Sequence, residues 1–540
     1  MGLSGHADHF ARERLPPPRQ WPELLFDLPS LQYPARLNCA AVLLDGGAAA
    51  QQDGGRIAIH SARGDWSYAT LRRQVDRIAH VLRSDLGLVP GNRVLLRGAN
   101  NPMTAACFLA VLKAGCIAVP TMPLLRAREL AAMAAKAQVN AVLCDAALRA
   151  EMSGAGPLPP TLWFGGGDAA DAGAGPASLE ALMAGRDGPF EAADTAADDV
   201  CLIAFTSGTT GVPKATAHFH RDVLAICDCF PRSTLKSQAS DIFIGTPPLA
   251  FTFGLGGLLL FPLRAGAATV LLEKLTPESL LRAIQDYRAS ICFTAPTFYR
   301  QMAALAPQYD LSSLRRSVSA GEALPLATRD AWLGATGLAM IDGLGSTELL
   351  HIFISAADGD VRRGATGKPI PGYQACILDG GGRPAGPGVI GRLAVKGPTG
   401  CRYLDDERQQ DYVLDGWNLT GDAYEMDADG YFHYRARTDD MIVSSGYNIA
   451  GPEVEDALLR HPLVAECAVI GRADEARGQI VEAHVVLKAE AAPSEAMARI
   501  LQDFVKEQIA PYKYPRAIRF LTALPRTETG KLQRYKLRGP

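Results

Sequence analysis

The stretch Thr206-Ser-Gly-Thr-Thr-Gly-Val-Pro-Lys214 follows an apolar run at residues 200–205 that reads as a buried strand. Glycines let backbone N–H groups crowd a phosphate with no Cβ in the way. The hydroxyls of Thr206, Ser207, Thr209 and Thr210 add donors, and Lys214 adds a mobile positive charge. The spacing Gly-x-x-Gly-x-Pro-Lys is not that of a Walker loop, and Pro213 stops the loop running straight into a helix. Alone, the stretch reads equally as an ordinary Gly/Ser/Thr turn; the rest of the chain decides.

With 540 residues, 48% hydrophobic and 21% charged, the chain is expected to form two or more globular domains. A formal net charge of −3 argues against wholesale nucleic-acid binding. The eleven cysteines include no CxxC pair, so neither a zinc site nor a disulfide framework is expected, and a reducing cytoplasm fits best. No signal core opens the chain. The most apolar run, 249–263, is short and holds three glycines and a proline, which predicts a buried core segment rather than a membrane span.

Residues 1–60 read as a docked extension. From residue 66 onward, helical spacing over 71–86 and 103–114 alternates with strand runs at 94–96, 116–120 and 141–144, the pattern of an α/β layer architecture. Residues 153–198, rich in Ala, Gly and Asp, are expected to be an exposed, mobile insertion. Strands are expected at 241–246, 269–272 and 291–293, and a helix capped by Thr276. Short strands and Gly/Asp turns over 364–434 predict a small antiparallel barrel or sheet. Beyond the charged boundary at 437–440 comes an α+β unit, with Met497, Ile500, Leu501 and Phe504 as a helical stripe.

Four further motifs carry chemistry. Gly345-Ser-Thr-Glu348 sets hydroxyls beside a carboxylate at the end of an apolar strand, suited to a phosphate and a hard cation, or else to a helix N-cap. Thr420-Gly-Asp422 offers a carboxylate after a tight turn, which could take both ribose hydroxyls. Arg437-Thr-Asp-Asp440 precedes Ser444-Ser-Gly-Tyr-Asn448, and Pro525-Arg-Thr-Glu-Thr-Gly-Lys531 lies near the end. Each alone reads more simply as a cap, a turn, a solvated linker or a surface lysine.

In this order and at these separations, the five motifs resemble the adenylate-forming superfamily: acyl-CoA synthetases, nonribosomal-peptide adenylation domains and firefly-type luciferases. The likeness covers about residues 66–537. Within it, residues 246–256 and 342–353 look like the benzoate-CoA ligase branch, and 20–29 with 33–38 look most like 2-aminobenzoate-CoA ligases. The resemblance implies an α/β fold with a large N-terminal domain, 1–436, of layered α/β subdomains plus a small β-barrel. It implies a hinge at 437–440 centred on Asp439, and a small mobile α+β C-terminal domain, 441–540.

The activity implied is ATP- and Mg²⁺-dependent adenylation of an aromatic acid followed by transfer to CoA, in aromatic acid degradation. The favoured acid is 2-aminobenzoate, with benzoate or hydroxybenzoate as alternatives, or loading of a carrier-protein thiol in place of CoA. No membrane or nucleic-acid partner is implied, and the protein is either a monomer or a homodimer. Carried over residue by residue, Thr206, Ser207, Gly208, Thr209, Thr210, Gly211 and Lys214 hold the outer phosphates. Gly321, Glu322, Ala323, Asp342, Gly343, Leu344, Gly345 and Ser346 line the nucleotide pocket. Thr347 reaches the α-phosphate, Glu348 helps hold Mg²⁺, Asp422 and Arg437 take the ribose, and Lys531 serves the adenylation step. Thr252, Phe253, Gly254 and His351 form the acid pocket, although His351 reads equally as a core residue. Ser445, Gly446 and Tyr447 line the CoA channel. Three departures from the family pattern bear on geometry: Ala215-Thr216 after the loop lysine, the paired His218 and His220, and Asn418-Leu419 before the Thr420 motif.

Overall fold

Six strands line up in the order Thr161–Phe164, Ala141–Asp145, Arg93–Arg97, Ile117–Thr121, Val200–Thr206 and Lys214–Phe219, the first five apolar along most of their length. The first five are parallel and the last is antiparallel. Ile117–Thr121 and Ala141–Asp145 are buried from end to end, which is why they read as unbroken apolar runs rather than alternating ones. The computed structural model describes residues 3–46, 54–166, 178–206, 213–444, 447–474, 477–526 and 532–538.

A second sheet has nine strands, with a parallel centre running Met340–Gly345, Arg316–Ala320, Ile291–Thr294, Ile242–Gly245, Ala268–Leu271 and Ile57–Ser61. The helix Pro102–Lys113 is buried on nearly every side and sits in the main core, as expected of a helix apolar all round. Its last residue, Lys113, is buried and bonded to Asp76 at 2.6 Å. The expected helix cap holds: Thr276 Oγ1 accepts the Ser279 N–H at the start of Pro277–Asp286.

The segment 364–434 supplies an antiparallel sheet in which Trp417–Met426 pairs with Ile390–Lys396 on one side and Phe432–Arg437 on the other. The C-terminal unit has its own sheet, led by Val464–Asp474 and Gly478–Leu487, and its own core around Val454, Leu458, Val481 and Leu501. It touches the large part of the chain through the Leu326 N–H, which donates to Asp456 at 2.9 Å, and through Arg526, 3.6 Å from Glu322.

Two expectations are corrected. The segment 153–198 is not simply an exposed insertion: Thr161–Phe164 is a sheet strand with Trp163 and Phe164 buried, and Leu179 and Met183 are buried in a helix. A three-residue apolar run, Leu162-Trp-Phe164, was diluted by the Ala/Gly/Asp average; residues 167–177 lie outside the described part. In the helix Glu495–Gln508 the buried residues are Leu501 and Val505, while Ile500 is 51% exposed. Leu501 of the expected stripe is buried and Met497 packs on the same core, so the stripe holds except that Ile500 faces outward and Val505 takes the buried side.

One docking contact joins the layers. The backbone at 402–404 runs along Lys214–Phe219, with Ala217 N–H donating to Arg402 O at 2.8 Å and Leu404 N–H to Ala215 O at 2.9 Å. Behind it the guanidinium of Arg402 donates to Asp222 Oδ2 at 2.8 Å; both side chains are fully buried. Arg402 also lies 4.0 Å over the Phe219 ring. Removing one member of such a pair strands a buried charge, at about 3–5 kcal/mol. Arg402→Leu should therefore lower stability in urea by about that much, and adding Asp222→Leu should restore part of it. Equal or greater loss in the double variant would contradict the ion-pair account.

Candidate active site

The strand Met340–Gly345 delivers Ser346, Thr347 and Glu348 to a turn. Gly343 and Gly345 leave room there: a Cβ on the first would meet Ile352 Cδ1 at 2.4 Å, and on the second His351 O at 2.8 Å. That clearance lets Ile352–Ser355 return antiparallel beside its parent strand. Ser346 Oγ accepts the Leu349 N–H at 3.2 Å and Thr347 O accepts the Leu350 N–H at 3.2 Å, but Leu350 takes φ +70° and no helix follows. The helix-cap alternative is therefore replaced by a tight turn that holds Thr347 and Glu348.

This turn is tied to the strand Lys214–Phe219. His218 Nε2 donates to Thr347 O at 2.8 Å. Burial pulls the His218 imidazole down to about 4, with Asp222 opposing, so the ring is neutral near pH 7 with its proton on Nε2. Glu348 accepts a bond from the Tyr403 hydroxyl at 2.5 Å, and Lys214 Nζ lies 3.4 Å from that same hydroxyl. Tyr403 thus links the loop lysine to the Glu348 carboxylate. Burial and the Glu348 charge drive the Tyr403 phenol far above its ordinary value, so it stays a donor. The Glu348 carboxylate is an oxygen donor, which fits a hard cation such as Mg²⁺.

Asp422 and Arg437 face each other across paired strands, and Arg437 Nη1 donates to Asp422 Oδ1 at 3.2 Å. Gly421 has φ +75°, and a Cβ there would meet Arg437 Nη2 at 2.9 Å. The turn glycine is thus required by its conformation, the guanidinium being free to give way. Asn418, one of the departures, is structural: it accepts the Cys401 N–H and donates to Val395 O. Gly321 ends the strand Arg316–Ala320 with φ +89°, exposing Gly321 and Ala323, with Glu322 half-buried between them. Desolvation raises the Asp342 carboxyl from 3.8 to about 7, against the pull of Arg329.

Thr252 and Phe253 are half-buried at the start of a helical stretch whose glycines permit close packing. A Cβ on Gly254 would lie 2.2 Å from Pro248 O, and one on Gly256 would lie 2.4 Å from the His351 ring. His351 itself is 2% exposed, among Phe230, Phe253, Phe261 and Phe293 with ring centroids 4.5–6.4 Å away. Burial lowers it to about 3, and its Nε2 lies 3.4 Å from Phe253 O. His351 is therefore a neutral core histidine packed against Phe253, the second of its two expected readings.

Ser207, Gly208, Thr209, Thr210, Gly211, Ser445, Gly446 and Lys531 lie outside the described residues, and Asp439 and Tyr447 are described only in their backbone. Thr206 closes the strand pair opposite Lys214. Tyr403 was not found by sequence reasoning. A signal was present, since Lys214, Thr216 and His218 alternate with Ala215, Ala217 and Phe219, marking a strand with one polar face for a partner to meet.

Residues 47–402 match the AMP-binding enzyme family, and residues 453–531 match the AMP-binding enzyme C-terminal domain. The chain belongs to this adenylate-forming family. It is 36% identical over 522 residues to a benzoate–CoA ligase of Thauera aromatica, covering 94% of this chain and 97% of that one. It is 33% identical over 480 residues to an anthranilate–CoA ligase of Pseudomonas aeruginosa, covering 86% and 89%. The crystal structure of an anthranilate CoA ligase in complex with anthranoyl-AMP superposes with a TM-score of 0.88 at 33% identity, over 95% of this chain and 98% of that one. Among the described residues no helix is long and apolar enough to cross a membrane.

The raised Asp342 carboxyl has a signed consequence. Between 3.8 and about 7 the folded chain binds a proton that the unfolded chain releases, so this group lowers stability progressively as pH rises through that window. Asp342→Asn should raise the melting midpoint at pH 8 and change it little at pH 4. A larger gain at pH 4 would contradict the desolvation account.

Proposed function

We propose that the chain is an ATP-dependent aryl-acid CoA ligase, with 2-aminobenzoate as its favoured substrate. The observation that carries this reading is the Lys214–Tyr403–Glu348 chain, which gathers a phosphate-side cation and a cation-binding carboxylate beside the Thr347 turn. Carboxylates are poor acyl donors. In the first step the acid carboxylate attacks the α-phosphate of ATP, giving an acyl-adenylate and pyrophosphate. In the second, CoA thiolate attacks the acyl carbon and AMP leaves. The first step needs positioning and charge stabilisation rather than a covalent nucleophile from the protein.

In this reading Thr206 and the loop after it, with Lys214, hold the outer phosphates. Thr347 meets the α-phosphate and Glu348 helps hold Mg²⁺, which would offset phosphate charge. Asp342 and the Gly321–Ala323 turn flank the base, and Asp422 with Arg437 takes the ribose. Phe253, backed by His351, offers a flat apolar wall to an aryl ring. The 33% identity to the anthranilate–CoA ligase and the likeness to the anthranoyl-AMP complex support 2-aminobenzoate; the 36% identity to a benzoate–CoA ligase supports benzoate as the second reading. AMP release with CoA, measured across 2-aminobenzoate, benzoate, hydroxybenzoates and fatty acids, should give the highest kcat/KM with 2-aminobenzoate. A preference for long aliphatic acids would overturn the aryl reading, and turnover only with a carrier-protein thiol would overturn the CoA reading.

Lys531 is assigned to adenylation and the Ser445–Tyr447 stretch to the CoA channel. Both belong to the C-terminal unit and both serve the same acyl carbon, so that unit swings about the 437–440 segment between two poses. Lys531→Ala should lose acyl-AMP formation by about 10²–10³-fold and keep CoA transfer to supplied acyl-AMP. Equal loss of both half-reactions would contradict the two-pose scheme.

A further inference from the structure

Away from the candidate active site, Cys39, Cys201 and His220 meet in the interior, all three buried. One ligand atom of each lies within 4.8 Å of the other two, and His220 Nδ1 is 3.1 Å from Cys39 Sγ. They come from three elements. Cys39 opens the helix Cys39–Leu44, Cys201 lies in the strand Val200–Thr206, and His220 opens the helix His220–Phe230. No short spacing joins Cys39 to Cys201, so the absence of a CxxC pair did not test for this cluster.

The backbone aims Cys201 at its neighbours. Strand pairing jumps from Val200↔Phe219 to Leu202↔His218, leaving Cys201 as the extra residue of a β-bulge. Bulges re-aim a side chain at the expense of a ladder bond. His220 Nε2 is buried and has no hydrogen-bond partner among the described residues, so the ring is not held by a polar network on that side.

Two sulfurs and one imidazole nitrogen form a soft donor set that suits zinc rather than magnesium or calcium. Charge decides further. Two thiolates and a neutral imidazole around a divalent ion sum to zero, whereas monovalent copper would leave a net negative charge buried. We propose that Cys39, Cys201 and His220 form a structural zinc site, with a water or other small ligand in the fourth position. Binding exchanges two S–H bonds for two Zn–S bonds and releases two protons. His220 contributes its Nδ1 lone pair, giving up the long 3.2 Å bond from the Cys39 N–H.

The site is structural because of where it stands. Cys201 precedes Thr206 by five residues, about 17 Å of extended strand, too far for the ion to touch a nucleotide held at the loop. It instead clips the base of the strand pair that carries the phosphate loop to the N-terminal segment.

Elemental analysis of the full chain from zinc-supplemented medium should find about one zinc per chain. Titrating the reduced, metal-free chain with Co²⁺ should produce a thiolate-to-cobalt charge-transfer band in the near ultraviolet. Added Zn²⁺ should raise its melting midpoint. Cys39→Ser/Cys201→Ser should lose all three responses. If that variant does not fold, the wild-type measurements decide. No bound zinc and no cobalt–thiolate band in the wild-type chain would overturn the proposal. So would full zinc retention in a folded double variant, or a Cys39–Cys201 disulfide in place of the metal.

Discussion

The buried pair of Arg402 and Asp222 is the constraint on which the candidate site rests. The guanidinium cannot be solvated there, so it must meet the carboxylate and the face of Phe219. That requirement fixes the register of 402–404 against the strand Lys214–Phe219. In extended backbone, neighbouring side chains point to opposite sides. With Arg402 held inward, Tyr403 necessarily falls on the other side, where it meets Glu348 and Lys214. A slip of one residue would exchange the two side chains, burying a phenol at Asp222 and setting a guanidinium against Glu348.

The strand Lys214–Phe219 therefore serves two masters. Ala215, Ala217 and Phe219 belong to an apolar cluster with Phe10, Ile117 and Val119, while Lys214 and His218 reach Tyr403 and the Thr347 carbonyl from the other face. His218 illustrates how the two parts are joined. A neutral ring donating to Thr347 O, with Asp222 3.9 Å from its other nitrogen, couples the turn carrying Glu348 to the same buried acid that holds Arg402.

Much of this was legible in the sequence, and the pattern of what was not is physical. Parallel strands buried on both faces announce themselves as apolar runs, and glycines at close approaches, such as Gly343, Gly345 and Gly421, marked the turns that present Thr347, Glu348 and Asp422. Asp422 and Arg437, each expected at the ribose, prove to be strand partners joined by a hydrogen bond. Tyr403 was missed because its value lies in tertiary contact with residues far away in the chain. The meeting of Cys39, Cys201 and His220 escaped for the same reason. Residues 161–164 were lost in a composition average, and Ile500 was misplaced because helical spacing gives a period without stating its phase against the sheet.

The strand covered by residues 402–404 has an awkward history in time. Lys214–Phe219 forms one border of its sheet, and its outer backbone groups find Arg402 and Leu404 only after roughly 180 further residues have been made. At about 5–20 residues per second, that border stands open for roughly 10–40 s on each nascent chain. An unpaired border is a template for association with other chains. The polar residues Lys214, Thr216 and His218 along it thus have a second effect beside any chemistry: they make the waiting strand a poor partner for its neighbours on the polysome.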